Sequence, residues 1–183
     1  MEQNKRIVVL NGPRGVGKDT IIEKIISLHP DKYKKIVSYS TRAPRPNEVD
    51  GIAYNFVTDK VFLEKVKHGD IYEYTNFHGT YRGSSKSYID NILSAGFIAI
   101  HNTDIIGVRA LRNAYPNMVL SIFVTATKET IIKRLEHIKD ANIHERLMDY
   151  DLRHQHKHEC DYIVENNGSL DDTVKMILNI LGD

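Results

Sequence analysis

Cysteine is almost missing from this chain: Cys160 is the single one in 183 residues. No internal disulfide can form, and a fold that needs no covalent staple is expected in a reducing, cytoplasmic setting. Charge of one sign is missing as well. Twenty-five Lys and Arg stand against 24 Asp and Glu, a net charge of +1, which argues against a nucleic-acid binder that works through a broad basic face. Long apolar runs are absent at the start, where Met-Glu-Gln-Asn-Lys-Arg leads into only Ile7-Val8-Val9-Leu10 before polar Asn11. Neither a signal peptide nor a membrane span is expected from so short a run. No repeat or low-complexity stretch interrupts the chain, and its length with 41% hydrophobic content suits one domain over residues 1–183.

What is present begins directly after that run. Residues Gly12, Pro13, Arg14, Gly15, Val16, Gly17, Lys18, Asp19 and Thr20 lead into the helix-like Thr20–Ile26. Glycines between a strand and a helix let successive backbone N–H groups converge on one anion, and the helix start adds its positive dipole end. Lys18 is placed to reach the outer phosphates of a nucleoside triphosphate. The position after that lysine carries a metal-ligating hydroxyl in most such loops; here it is Asp19, which becomes the candidate ligand for Mg²⁺.

Short apolar runs at Ile7–Leu10, Phe97–Ile100, Met118–Val124 and Tyr162–Val164 predict buried strands. Thr103–Asn113, Lys128–Lys139, Ile143–His158 and Leu170–Leu181 predict helices. The alternation is that of an α/β fold with a parallel sheet between helical layers. From residue 38 to 86 the texture changes to turn residues and the strand-like Ala53–Val57, Ile71–Phe77 and Thr80–Gly83. A mostly β insert is expected there, on a core of residues 1–37 and 87–183.

The insert carries Ser38, Thr41, Arg42, Pro44, Arg45, Glu48, Gly51, Tyr54 and Phe56 in one stretch. Two arginines three apart in a proline-stiffened turn can aim their guanidinium forks at one phosphate, with the Tyr54 hydroxyl beside them. Together with the loop, this stretch strongly resembles the guanylate kinase family, whose pattern S-x-x-T-R-x-P-R-x-x-E-x-x-G-x-x-Y-x-F matches at every position. The likeness extends through Gly69–Glu73, Gly79–Lys86 and Asn102–Val108.

The resemblance implies a P-loop NTPase fold and transfer of the γ-phosphoryl of ATP to GMP or dGMP, with Mg²⁺. It implies that Ser38, Glu73 and Ser84 address the guanine, that Arg42, Arg45 and Tyr54 grip the acceptor phosphate, that Asp104 lies near the base, and that Asn166 lies at the ATP site. It also implies that Arg134 and Arg146, in a lid at about residues 134–146, neutralise the transferring group. The chemistry suits Glu73: guanine offers N1–H and N2–H₂ side by side to one carboxylate, whereas adenine would turn a lone pair toward it.

Three positions depart from the family pattern. Arg82 replaces a second phosphate-binding tyrosine and joins the acceptor site as an extra cation. Asn102 replaces the first aspartate of a D-x-D pair, and the lid loop is shorter and lacks R-G-T. Asp19 is shared with the ribose 1,5-bisphosphate phosphokinases, so a phosphate-ester kinase is one alternative; a non-catalytic interaction domain is the other, though such domains usually lack the lysine that this chain keeps as Lys18. His144, His154, His156 and His158 are read as a solvated helix face, and Cys160 as a small residue near a strand start.

Overall fold

The computed structural model describes residues 5–77, 79–137 and 142–183. Its core is a five-stranded parallel sheet in the order β2-β7-β1-β8-β9, formed by Ile7–Asn11 (β1), Tyr33–Lys35 (β2), Ile98–Asn102 (β7), Val119–Thr125 (β8) and Tyr162–Glu165 (β9). β1 is central and buried along its whole length. An apolar run with no alternation is what a strand covered on both faces requires.

The two faces are read directly from the period of two. Val8, Leu10, Ile100, Ile122 and Val124 pack with Ile21, Ile22 and Ile25 of α1 (Lys18–Leu28) and Val174, Ile177 and Leu181 of α7 (Leu170–Leu181). Ile7, Val9, Ala99 and Val119 face the other way, onto Ile89, Ile92 and Leu93 of α3 (Lys86–Ser94) and Val108 and Leu111 of α4 (Ile105–Ala114). Each buried Val, Leu or Ile among them contributes roughly 1.5–3 kcal/mol through burial, so the sheet is a rigid base for whatever projects from its strand ends.

The insert forms a second sheet, β4-β3-β6-β5, from Tyr39–Ser40 (β3), Asn55–Phe56 (β4), Ile71–Phe77 (β5) and Thr80–Ser85 (β6). β5 and β6 pair antiparallel with Glu73 opposite Ser84, past a register shift between Ile71 and Glu73. The insert is less purely β than its sequence texture suggests, because α2 (Asp59–Lys67) lies inside it, capped by Thr58 Oγ1 accepting from the Val61 N–H. Ala53–Val57 narrows to the two residues of β4. The helix expected through His158 ends at His154 as α6 (Ile143–His154) and continues as a turn at Lys157–Glu159, and α5 runs over Lys128–His137. Part of the expected lid, residues 138–141, lies outside the described residues.

Candidate active site

β1 and β7 are neighbours in register, Leu10 beside Asn102. Their carboxyl ends open side by side, the location where open parallel sheets bind ligands. The glycine loop leaves β1 and the Asn102-Thr103-Asp104 turn leaves β7, so both reach one crevice. Gly12 sits at φ 136, and a Cβ there would stand 2.0 Å from the Val124 carbonyl oxygen. Only glycine fits that crossing over β8.

Gly17 follows at φ 89 and starts α1. Lys18, at the first turn, donates from Nζ to the Gly12 and Pro13 carbonyls at 2.8 and 2.7 Å. Burial, and then the charge of Arg153, lower its pKa to about 8. A cation held in that state gains by meeting an anion.

The crevice is a cavity of about 740 Å³ that reaches from this loop to the insert. From the core it is lined by Arg14, Lys18, Asp19, Thr20, Asn102 and Asp104. Ser38, Tyr54, Glu73 and Arg82 line it from the insert, and Arg134 and Arg153 from the helices α5 and α6. A nucleotide-sized volume lined mainly by cations at the loop end, with Glu73, Asp104 and Arg82 toward the insert, is a site for a polar, anionic ligand with a hydrogen-bonding head.

At the insert end, burial and the charge of Asp104 push the Glu73 carboxyl above its ordinary range. Ser84 Oγ lies 3.2 Å from Ser38 Oγ and 3.3 Å from His101 Nε2, a polar row that is buried at Ser84 and His101. Burial lowers the pKa of His101 to about 4, so its ring is neutral near pH 7. Asp104 is the N-cap of α4, where Oδ1 accepts the Gly107 N–H at 3.0 Å. A carboxylate with one oxygen spent on a helix start is fixed in direction.

The arginine turn is tied internally. Arg42 makes a two-pronged pair with Glu48 at 2.5 and 2.6 Å, and the Arg45 N–H donates to the same carboxylate at 2.9 Å. The guanidinium holds Glu48 well below the usual carboxylate range. Tyr54 carries the Arg42 guanidinium 5.2 Å from its ring centroid and that of Arg82 at 5.5 Å. Arg82 and Tyr54 therefore face the cavity, while Arg42 and Arg45 stand behind them and are not among its lining residues.

At the other end Asp19 is 64% exposed on its side chain. Asn102 Nδ2 donates to its Oδ2 at 3.1 Å, and Lys35 Nζ approaches Oδ1 at 3.6 Å. Asn166 is buried and fully committed: Nδ2 donates to the Val16 carbonyl at 2.8 Å, and Oδ1 accepts from Thr173 Oγ1 at 2.8 Å. It braces the loop. Arg134 Nη2 donates to the Asn166 carbonyl at 2.8 Å, which fixes that arginine at the cavity wall. Arg146 is not among the lining residues.

Among the lining residues that escaped the sequence reading are His101 and Arg153. His101 hides inside a buried strand, and Arg153 stands on a helix read as a solvated face. One signal pointed to Arg153: it lies seven residues after Arg146, on the same side of α6. The histidines of that region also need correction, because His154 is packed rather than solvated. It stacks on Tyr150 with 3.9 Å between ring centroids, and its Nε2 lies 2.9 Å from Thr125 Oγ1. Cys160 is half-buried near the start of β9, 3.8 Å from Asn11 Nδ2, and burial pushes its thiol up. An inert thiol results.

A family model described as guanylate kinase matches residues 4–183 of this chain. Guanylate kinase of Chlamydia felis is 34% identical over 166 residues, covering 88% of this chain and 80% of the relative. Guanylate kinase of Wolinella succinogenes is 31% identical over 98% of this chain and 85% of its own length. Among solved structures, guanylate kinase from Anaplasma phagocytophilum superposes with a TM-score of 0.73 at 24% identity, over 99% of this chain and 86% of that one. A gluconokinase from Sinorhizobium meliloti shares the fold at a TM-score of 0.57 and 13% identity, over 99% and 94%. Both structural likenesses speak for the fold. No described helix is long and apolar enough to cross a membrane.

Proposed function

The chain belongs to the guanylate kinase family, and from that premise we propose how its residues move the γ-phosphoryl of ATP to GMP or dGMP. It is an ATP-dependent nucleoside monophosphate kinase. The observation that carries the choice of acceptor is Glu73, a carboxylate facing the cavity next to the Ser38–Ser84–His101 row. Guanine turns two adjacent donors toward such a carboxylate, and the hydroxyls of that row can complete the base contact.

The loop N–H groups and Lys18 hold the triphosphate. Arg82 and the Tyr54 hydroxyl hold the acceptor phosphate, with Arg42 and Arg45 joining once the insert closes and Glu48 yields. Arg134 and Arg146 neutralise charge on the group in flight, and closure excludes water, which would otherwise take the phosphoryl. No covalent intermediate is required.

The donor set at the α1 start fits Mg²⁺. Asp19 offers an exposed carboxylate, oriented by the Asn102 Nδ2 donor at 3.1 Å. Among the described residues no cluster of three His, Cys, Asp or Glu side chains could hold a metal by itself. Asp19 would hold such an ion as a single carboxylate ligand, as suits Mg²⁺ at a nucleotide site. Bound there, Mg²⁺ supplies charge neutralisation of the phosphate oxygens.

Asp19 and Arg82 also keep a second acceptor in view, a phosphorylated sugar such as ribose 1,5-bisphosphate. Chromatographic identification of products from ATP, Mg²⁺ and either acceptor tests the choice. GDP formed from GMP, with slower turnover of the sugar phosphate, supports the proposal. The opposite ranking overturns it.

A further inference from the structure

Arg153 has no role in the mechanism above, yet its side chain forms part of the cavity wall beside Arg14, Gly15 and Lys18. Its anchoring is one-sided. Nε donates to both oxygens of Asp149 at 2.8 Å, while neither terminal guanidinium nitrogen makes a hydrogen bond among the described residues. Asp149 in turn accepts the N–H of Arg14, in the glycine loop, at 3.4 Å. One carboxylate thus links α6 to the loop and fixes the direction of the arginine. Four N–H donors remain on the guanidinium.

The charge balance at this end says what those donors await. Arg14, Lys18, Arg134 and Arg153 stand around the donor end of the cavity; among the described residues Asp19 is the one carboxylate lining it there, with Asp149 paired to Arg153 behind it. Cations gathered in a partly buried crevice repel one another until an anion enters. A planar fork presented to that anion from α6, beside the loop, can take two oxygens of one terminal phosphate.

We propose that Arg153 is a further ligand of the donor nucleotide, gripping its terminal phosphate from α6, with Asp149 as the positioning residue that aims it. The inference rests on the reading of this end as the ATP site but not on the identity of the acceptor. Because the contact is to the last phosphate, Arg153 sets the preference for a triphosphate over a diphosphate. Discharged donor then leaves more readily than charged donor.

Calorimetric titration of ATP and ADP with Mg²⁺ into the wild type, Arg153→Met, Arg153→Lys and Asp149→Asn tests this, with thermal melts to verify folding. Arg153→Met should lose roughly tenfold in ATP affinity with a much smaller loss for ADP, since a hydrogen-bonded charge is the contact removed. Arg153→Lys should recover part of the ATP-to-ADP ratio, and Asp149→Asn should lower it while keeping the arginine. The KM for GMP should stay unchanged in all three.

An unchanged ATP-to-ADP ratio in folded Arg153→Met, or equal losses for Met and Lys, overturns the assignment. A wild type that binds ATP and shows the Arg153 effect but does not phosphorylate GMP leaves this inference standing and removes the acceptor reading. A wild type that does not bind ATP overturns both.

Discussion

Lys18 gives the donor site a pH signature. In the free protein its pKa is lowered from the ordinary 10.5 to about 8, first by burial and then by Arg153. A triphosphate beside it acts in the opposite direction and raises the pKa, so binding near or above pH 8 must take up a proton. At pH 9, one unit above the free value, about a tenth of the molecules carry the charged lysine, and apparent ATP affinity should fall about tenfold relative to pH 7, or about 1.4 kcal/mol. Calorimetry in buffers of different ionisation enthalpy should show uptake of about half a proton at pH 8 and close to a whole one at pH 9.

Lys18→Met should bind ATP more weakly at pH 7, lose this pH dependence, and transfer phosphoryl at least a hundredfold more slowly, as removal of one preorganised charge costs about 3–4 kcal/mol. The sign for the free protein is fixed too. With the folded pKa below the unfolded one, the unfolded state binds more protons between pH 8 and 10.5, so the Lys18 contribution to stability becomes more favourable as pH rises through that window. A wild-type affinity that stays level from pH 7 to 9.5, or a Lys18→Met protein with the same slope as the wild type, would refute the reasoning.

Glu73→Gln should raise the KM for GMP by roughly ten- to a hundredfold and narrow the discrimination against AMP, because an amide replaces one of two acceptors with a donor; steady-state kinetics with both nucleotides measures this. Asp19→Ser should narrow the difference in affinity between metal-free ATP and Mg-ATP, and Asp19→Ala should raise the Mg²⁺ needed for half-maximal rate, since the carboxylate repels bare triphosphate unless a cation bridges them. Identical metal dependence in all three proteins would place Asp19 outside the donor site. Asp70 accepts from Lys65 Nζ, Ser85 Oγ and the Ser87 N–H at 2.8, 2.8 and 2.9 Å and so ties the insert to α3. Its pKa is lowered against the opposing effect of burial, chiefly by the Lys65 hydrogen bond, so its stabilisation is complete above about pH 4 and lost as pH falls below that. Asp70→Asn should cost about 1–3 kcal/mol at pH 7 in denaturant titrations and flatten the acid limb.

The central strands were legible because they are buried on both faces and read as plain apolar runs, as β1 and β8 do; β9, also expected to be buried, is an edge strand in which only Val164 is buried while Tyr162 and Ile163 are exposed. β2 was not legible, since Tyr33-Lys34-Lys35 is a three-residue edge strand with a single buried side chain. Helix α2 escaped for a related reason: among its residues only Phe62 is buried, and its apolar stripe is too thin to stand out.

At the site, the glycine loop and Tyr54 beside the arginine turn could be found because their spacing along the chain is local, whereas Glu73 and Ser84 came from the family resemblance. His101 could not be found, and Arg153 only through its seven-residue spacing from Arg146, because their meaning depends on tertiary neighbours. Arg153 acquires it from Lys18 and Asp149, and His101 from Ser84 across the two sheets. Arg42 shows the converse, since its sequence position suggests a phosphate ligand while the structure has it paired with Glu48. Spacing identifies which side chains are available, and the ion pairs they form decide what must be released before they act.

The central claim is that the cavity joins ATP to a guanine nucleotide, and kcat/KM measured by coupled ADP release for GMP, dGMP, AMP, CMP and UMP tests it most directly. The account predicts that GMP or dGMP leads the others by at least about a hundredfold, the discrimination available when a buried hydrogen-bonding group is left unpaired by the wrong base. Comparable values for AMP and GMP, or no turnover with any of the five, would contradict it.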